Sequence, residues 1–260
     1  MDHLPPSTAI LQPTADGAVL FDPALAGAAF DPAWFEPVHW IERGSAQPLG
    51  AGRGATTRVV DGRRDWVLRH YRRGGMVAAL LGDRYLWNGA ERTRGFVEFR
   101  LLAELVRRGL HAPAPVAARY RRRGAHYRAD LVTRTISGTQ TLAERLRHGS
   151  LDTALAARVG AGIAEFHAAG VFHADLNAHN VLVDPRAVWL IDFDRGVLRG
   201  PARSWQTANL MRLRRSLLKL GAAADGEAAF DRGVWGPLAA AWEQRLDATR
   251  PQTAAGSTRG

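Results

Sequence analysis

Three regimes of apolar and polar spacing follow one another along the chain. From about Gly50 to Tyr71 the pattern is β-like. Arg58-Val-Val60 and Trp66-Val-Leu-Arg-His-Tyr71 flank Asp61-Gly62, and Asp-Gly between two apolar runs marks a hairpin. Phe99, Leu102, Leu105 and Val106 then fall on one helical face and predict a helix from Phe96 to Leu110, stopped by Gly109 or Leu110 and by Pro113 and Pro115. Val116 to Tyr120 and Tyr127 to Thr133 read as strands joined by a turn of basic residues. After Ser137-Gly138 the pattern is mostly helical: Leu155, Val159, Ile163 and Phe166 mark one helix with Gly170 just past its end, and residues 203–220 and 234–248 read as two more. Residues 1–30, rich in Pro, Ala and Gly, read as an irregular arm. Trp34 to Ile41 reads as a short helix, and the segment from Thr249 as a mobile tail.

This succession predicts an α+β fold of two lobes. Residues 1–136 form an arm and a β-rich lobe with one long helix, and residues 137–260 a mainly helical lobe with a tail. With 260 residues, 46% hydrophobic and 23% charged, the chain can bury one substantial core or two lobes sharing a cleft. Cysteine is absent, which excludes disulfides, a thiol nucleophile and thiolate-bound metal. No apolar run approaches the ~18 residues of a membrane span, and Met1-Asp-His-Leu-Pro-Pro6 lacks a secretory n- and h-region, so a cytoplasmic address is expected. The net charge of +10, from 35 basic and 25 acidic residues, favours anionic partners: phosphates, nucleic acid or an acidic membrane leaflet. No basic platform interleaved with aromatics is present, so nucleic acid is not expected.

The chemistry concentrates in His173-Ala-Asp-Leu-Asn-Ala-His-Asn180 and Ile191-Asp-Phe-Asp194. Asn180 stands five positions after Asp175, and Asp192 twelve after Asn180. The first spacing is that of the H-R-D-x-x-x-x-N catalytic loop of phosphotransferases, with an Asp-Phe pair at hairpin distance. Asp175 is the candidate base for an attacking hydroxyl. Asn180 and Asp192 are hard oxygen ligands suited to Mg²⁺ that also holds nucleotide phosphates. Upstream, Gly50, Gly52 and Gly54, with Arg53 between, form a glycine-rich loop whose backbone N–H groups can approach phosphate.

Arg69 occupies the place of the strand lysine that such enzymes turn toward the nucleotide. Glu98 shares a helical face with Leu102 and Leu105, and a carboxylate on a buried face needs a partner, so Arg69 is paired with Glu98. His173 is expected to clamp backbone, Asn177 to steady the loop, and His167 and His179 to be structural or solvated. Ala174 stands where protein kinases carry an arginine that meets an activation-loop phosphate. Asp194 is equally a second metal or substrate contact or a turn residue. Met76 to Leu81 reads as a buried helix turn or a membrane-touching loop. Residues 210–219 read as a helix that packs its apolar side on the core or lies on anionic lipid. Little chain follows the Asp-Phe pair, so a peptide-docking platform is not expected and a small or glycan hydroxyl acceptor is favoured.

These residues resemble the protein-kinase-like superfamily and, within it, the bacterial lipopolysaccharide kinases, most closely those acting on 3-deoxy-D-manno-octulosonic acid (Kdo). The likeness is carried by Gly52-Arg-Gly54, Leu68-Arg-His-Tyr-Arg-Arg-Gly-Gly75, Thr93-Arg94, Glu98-Phe-Arg-Leu-Leu102, the His173–Asn180 run and Ile191-Asp-Phe-Asp-Arg-Gly196. It covers most of residues 50–200 and makes Arg69 and Asp194 family features. It implies a bilobal kinase-like fold, ATP and Mg²⁺ as cofactors, and phosphorylation of a Kdo hydroxyl, the 4-hydroxyl, on Kdo–lipid A or its precursor. It further implies a peripheral location on the cytoplasmic face of the inner membrane, with an anionic membrane surface as partner; no protein partner is expected. Two other readings share these motifs: a soluble kinase of the aminoglycoside or choline type, and a pseudokinase binding module prompted by the missing strand lysine.

Overall fold

The computed structural model describes residues 9–49, 56–72 and 82–249. Gly50, Gly52, Arg53 and Gly54, the apolar run Met76–Leu81 and the tail beyond residue 249 lie outside the described residues. The chain divides into two compact units, Met1–Ser137 with Phe193–Arg195, and Gly138–Asp192 with Gly196–Gly260. The first is β-rich with one long helix and the second mainly helical, which is an α+β fold.

The first unit is built on an antiparallel sheet. Its strands are β1 (Ile10–Thr14), β2 (Gly17–Phe21), β3 (Ala46–Pro48), β4 (Thr56–Val60), β5 (Asp65–His70), β6 (Tyr85–Leu86), β7 (Pro115–Arg123) and β8 (His126–Arg134). The order is β1-β2-β7-β8-β5-β4-β3, with β6 pairing β8. The expected irregular arm is in part a hairpin. Gly17–Phe21 lies against β7, with Gly17 opposite Arg121 and Phe21 opposite Ala117. The physical reason is the apolar run Ala18-Val-Leu-Phe21, buried along its whole length behind the Ala15-Asp16 turn. A Cβ on Gly17 would sit 2.0 Å from the Tyr120 carbonyl oxygen, so this approach needs glycine.

The basic turn is also corrected. Arg121, Arg122 and Arg123 belong to β7, and only Gly124-Ala125 turns the chain, with Gly124 at φ 61°. One face of the sheet packs Val19, Phe21, Val59, Trp66, Leu68, Val116 and Val132 against Phe30, Phe35 and Trp40. Each such buried side chain contributes about 1.5–3 kcal/mol. The helix Arg94–Arg107 starts two residues earlier than its apolar spacing predicts. Gly95 brings it onto the sheet: a Cβ there would lie 2.9 Å from the Asp130 carbonyl oxygen.

In the second unit Thr141 and Glu144 close a capping box on Leu142–Arg147, and Asp152 caps Thr153–Ala168 through the Leu155 N–H. Gly170, at φ 77°, ends that helix. It packs along Gly236–Ala248 through Gly160, where a Cβ would meet the Leu238 carbonyl oxygen at 2.0 Å. β11 (Val181–Val183) and β12 (Val188–Leu190) make the short hairpin between Asn180 and Ile191; β9 (Gln140–Thr141) flanks β11, and β10 (Val171–Phe172) pairs β13 (Val197–Leu198). Among the described residues no helix is long and apolar enough to cross a membrane.

Candidate active site

The loop from His173 to Asn180 is held by its own side chains. His173 is buried, and its Nδ1 accepts the Asp175 N–H at 3.2 Å while its Nε2 lies 2.8 Å from the Ile191 carbonyl oxygen. A ring that accepts at Nδ1 must carry its proton at Nε2, so the imidazole is neutral and donates to Ile191. Burial lowers its pKa, against the opposing hydrogen bond to Ile191, and keeps it neutral. His173 is therefore a backbone clamp between the loop and the residue before Asp192. Asn180 closes the same arrangement: its Nδ2 donates to the Asp175 carbonyl at 3.0 Å, and its own carbonyl accepts the Ile191 N–H at 3.0 Å. Asp175, Asn180 and the backbone entering Asp192 are thus joined by four hydrogen bonds within one unit.

Asn177 bonds the loop twice over. Its Nδ2 reaches a carboxylate oxygen of Asp175 at 3.0 Å, and its Oδ1 accepts the N–H groups of His179 and Asn180. The other Asp175 oxygen, Oδ1, is on a side chain that is 56% exposed. Asp192 takes a left-handed backbone, φ 63°, which aspartate tolerates better than most residues.

The donors suit Mg²⁺. The Asn180 amide is buried and uses its nitrogen on Asp175, so its Oδ1, which accepts no hydrogen bond among the described residues, is the atom left for a hard cation. No group of three His, Asp or Glu side chains makes a full protein cage among the described residues.

In the first unit, Arg69 on β5 bonds the buried Glu98 of the helix Arg94–Arg107. Tyr71, which sequence reasoning missed, joins them: its hydroxyl donates to Glu98 at 2.5 Å and accepts from Arg69 at 3.1 Å. Burial, with the Glu98 charge beside it, pushes the Tyr71 phenol well above its ordinary pKa and keeps it a donor. Arg69 is thereby held on one side, with Glu98 3% and Arg69 22% exposed. Asp194 is a turn residue, one of the two expected readings. It pairs with Arg94, Oδ1 accepting from Nε at 2.8 Å. The glycine-loop residues Gly50, Gly52, Arg53 and Gly54 are not among the described residues.

Three further residues touch the catalytic run from the helix Arg203–Lys219. Asn209 Nδ2 donates to the His173 carbonyl at 2.7 Å, Ser216 Oγ accepts the Ala178 N–H at 3.1 Å, and Arg212 lies 3.5 Å from Asp175 Oδ1. Their spacing of three and four, which puts them on one helical face, is the signal that could have found them. His167 is structural: it accepts from Trp242 Nε1 at 2.9 Å, and burial lowers its pKa to about 4.

Comparison with known proteins follows the same residues. Residues 39–233, three quarters of the chain, match the model of the lipopolysaccharide kinase (Kdo/WaaP) family. A 3-deoxy-D-manno-octulosonic acid kinase of Xanthomonas axonopodis pv. citri (strain 306) is 50% identical over 206 residues, 78% of this chain and 81% of that one. The protein of the same name from Xylella fastidiosa (strain M12) is 47% identical over 211 residues, 79% and 82% of the two chains. A solved structure described as WaaP in complex with acyl carrier protein covers 94% of this chain and 99% of its own at 19% identity and a TM-score of 0.49. That likeness is too low to carry its partner over to this chain.

Proposed function

The chain belongs to the lipopolysaccharide kinase (Kdo/WaaP) family, and from that premise we propose that it phosphorylates Kdo on the lipid-linked acceptor of lipopolysaccharide core synthesis. It is a kinase that uses ATP and Mg²⁺. The acceptor is Kdo–lipid A or its precursor, and the hydroxyl is the 4-hydroxyl. The hydroxyl oxygen attacks the γ-phosphorus, the bond to the ADP oxygen breaks, and Asp175 takes the hydroxyl proton. Asn180 and Asp192 would hold Mg²⁺, which would neutralise phosphate charge. Arg69, braced by Glu98 and Tyr71, meets the nucleotide phosphates, and Gly50, Gly52, Arg53 and Gly54 supply backbone donors to them.

The observation that carries this reading is the His173 clamp. It ties Asp175, Asn180 and the entry to Asp192 into one hydrogen-bonded set while leaving the Asp175 carboxylate exposed. The net charge of +10 supports a peripheral place on the cytoplasmic face of the inner membrane, beside an acceptor that bears carboxylate and phosphate.

The test is transfer of labelled phosphate from ATP to Kdo–lipid IVA, with Kdo-free lipid IVA alongside. Label should enter only the Kdo-bearing lipid, and Asp175→Ala should lower the rate on the order of 10²–10⁴-fold without unfolding the protein. Equal labelling of the Kdo-free lipid, or near-normal turnover by Asp175→Ala, would sink the assignment.

A further inference from the structure

The helix Arg203–Lys219 presents a line of cations beside Asp175. Asn209 and Ser216 are bonded to the backbone of the catalytic run, which fixes the helix against the loop. Arg212 stands between them and faces the Asp175 carboxylate itself. Their 3.5 Å separation is longer than the roughly 2.7–2.9 Å of a strong charge-assisted bond, and Arg212 is 48% exposed. Its guanidinium is therefore not saturated by Asp175 and keeps donors for a second anion. Arg215 and Lys219, further along, are exposed and have no carboxylate partner among the described residues.

Arg214 provides the contrast. It bonds Asp231 at 3.1 Å and lies over the rings of Phe230 and Trp235, so it is held within the unit. Nor is the helix free to lie on lipid by an apolar face, because Leu210, Leu213 and Leu217 are buried.

A guanidinium beside a base that must receive an alcohol favours an alcohol that carries its own negative charge. An acidic sugar brings a carboxylate on the same ring as its hydroxyls. We propose that Arg212 determines specificity for the acceptor: it binds the sugar carboxylate and so sets the hydroxyl against Asp175. Arg215 and Lys219 extend the stripe toward further anionic groups of the same molecule. The proposal rests on the kinase reading above and adds the recognition of the acid.

The experiment uses the full chain with two acceptors, Kdo–lipid IVA and the same lipid with the Kdo carboxylate converted to a carboxamide. The intact enzyme should lose on the order of 10- to 100-fold in kcat/KM on the amide, the range expected of a hydrogen-bonded charge pair. Arg212→Gln should show a similar loss on the acid and little remaining difference between the two acceptors, with the KM for ATP unchanged. Arg212→Lys should recover part of the preference. Full discrimination by Arg212→Gln would overturn the proposal, as would a deficit that appears as a raised KM for ATP. If the intact enzyme phosphorylates neither acceptor, the kinase reading itself falls, which is a distinct result.

Discussion

At the scale of single residues, His70 is the most informative titrating group outside the candidate site. It sits at the end of β5 with Nδ1 2.6 Å from Asp130 and Nε2 2.9 Å from Asp83. The hydrogen bond to Asp130 raises its pKa most, and Asp83 adds to this against the opposing cost of burial. Arg119 and Arg128 are the cations on the same two carboxylates. A histidine whose folded pKa lies above its unfolded value of roughly 6.5 stabilises fully below that value and loses its contribution as pH rises through the folded one. The thermal unfolding midpoint of the intact chain should therefore fall as pH rises above roughly 6.5, more steeply than that of His70→Gln. Parallel curves for the two proteins would contradict the linkage.

Much of the candidate site is legible residue by residue. Asp175, Asn180 and Asp192 are marked by spacing, and the pairing of Arg69 with Glu98 follows from a carboxylate on a leucine face. Tyr71 is not legible, because a tyrosine just past a strand has no pattern that tells core from hydrogen-bond donor. Asp194 is not legible either: its partner Arg94 is 100 positions away, and only the folded chain shows which carboxylate meets which guanidinium.

At the scale of elements, apolar periodicity finds the long helices and the Asp61-Gly62 hairpin, whose side chains repeat regularly. It misses β1 and β2, because Pro13 and the alanines dilute the alternation and burial of β2 depends on β7. It misses the helix Leu142–Arg147 as well, although Thr141-Leu-Ala-Glu144 is a capping box in plain view. The crossing of Thr153–Ala168 and Gly236–Ala248 gives a sharp test. A methyl group at Gly160 would fall 2.0 Å from the Leu238 backbone, whereas Gly200 has nothing within 4 Å of the corresponding position. Gly160→Ala should cost roughly 1–3 kcal/mol or more by forcing the helices apart, and Gly200→Ala close to nothing. Denaturant melts of the two variants check this, and equal midpoints would show that the crossing tolerates the added carbon.

For the whole molecule the governing quantity is charge. Part of the +10 excess is displayed in the first unit along the β7–β8 hairpin, where Arg122 and Arg123 are exposed and Arg122 lies 4.8 Å from the Trp87 ring. Leu86, 65% exposed, stands on the strand paired with His126 and Tyr127. Each arginine near an anionic leaflet is worth about 1 kcal/mol, within a screening length of roughly 10 Å at 0.1 M salt and 3 Å at 1 M. The chain should co-sediment with anionic phospholipid vesicles at low salt, leave them as salt approaches about 1 M, and ignore neutral vesicles. Binding indifferent to salt would remove charge as the cause.

Phe193-Asp-Arg195 groups with the first unit although the chain on either side of it groups with the second. The polypeptide therefore passes from one unit to the other and back within a few residues. A single cut near position 137 would part Phe193-Asp-Arg195 from the unit it groups with. A recombinant piece ending there would lack the aspartate that neutralises Arg94, leaving a guanidinium only 22% exposed without its counter-ion. A truncation meant to isolate the first unit would have to carry those three residues with it.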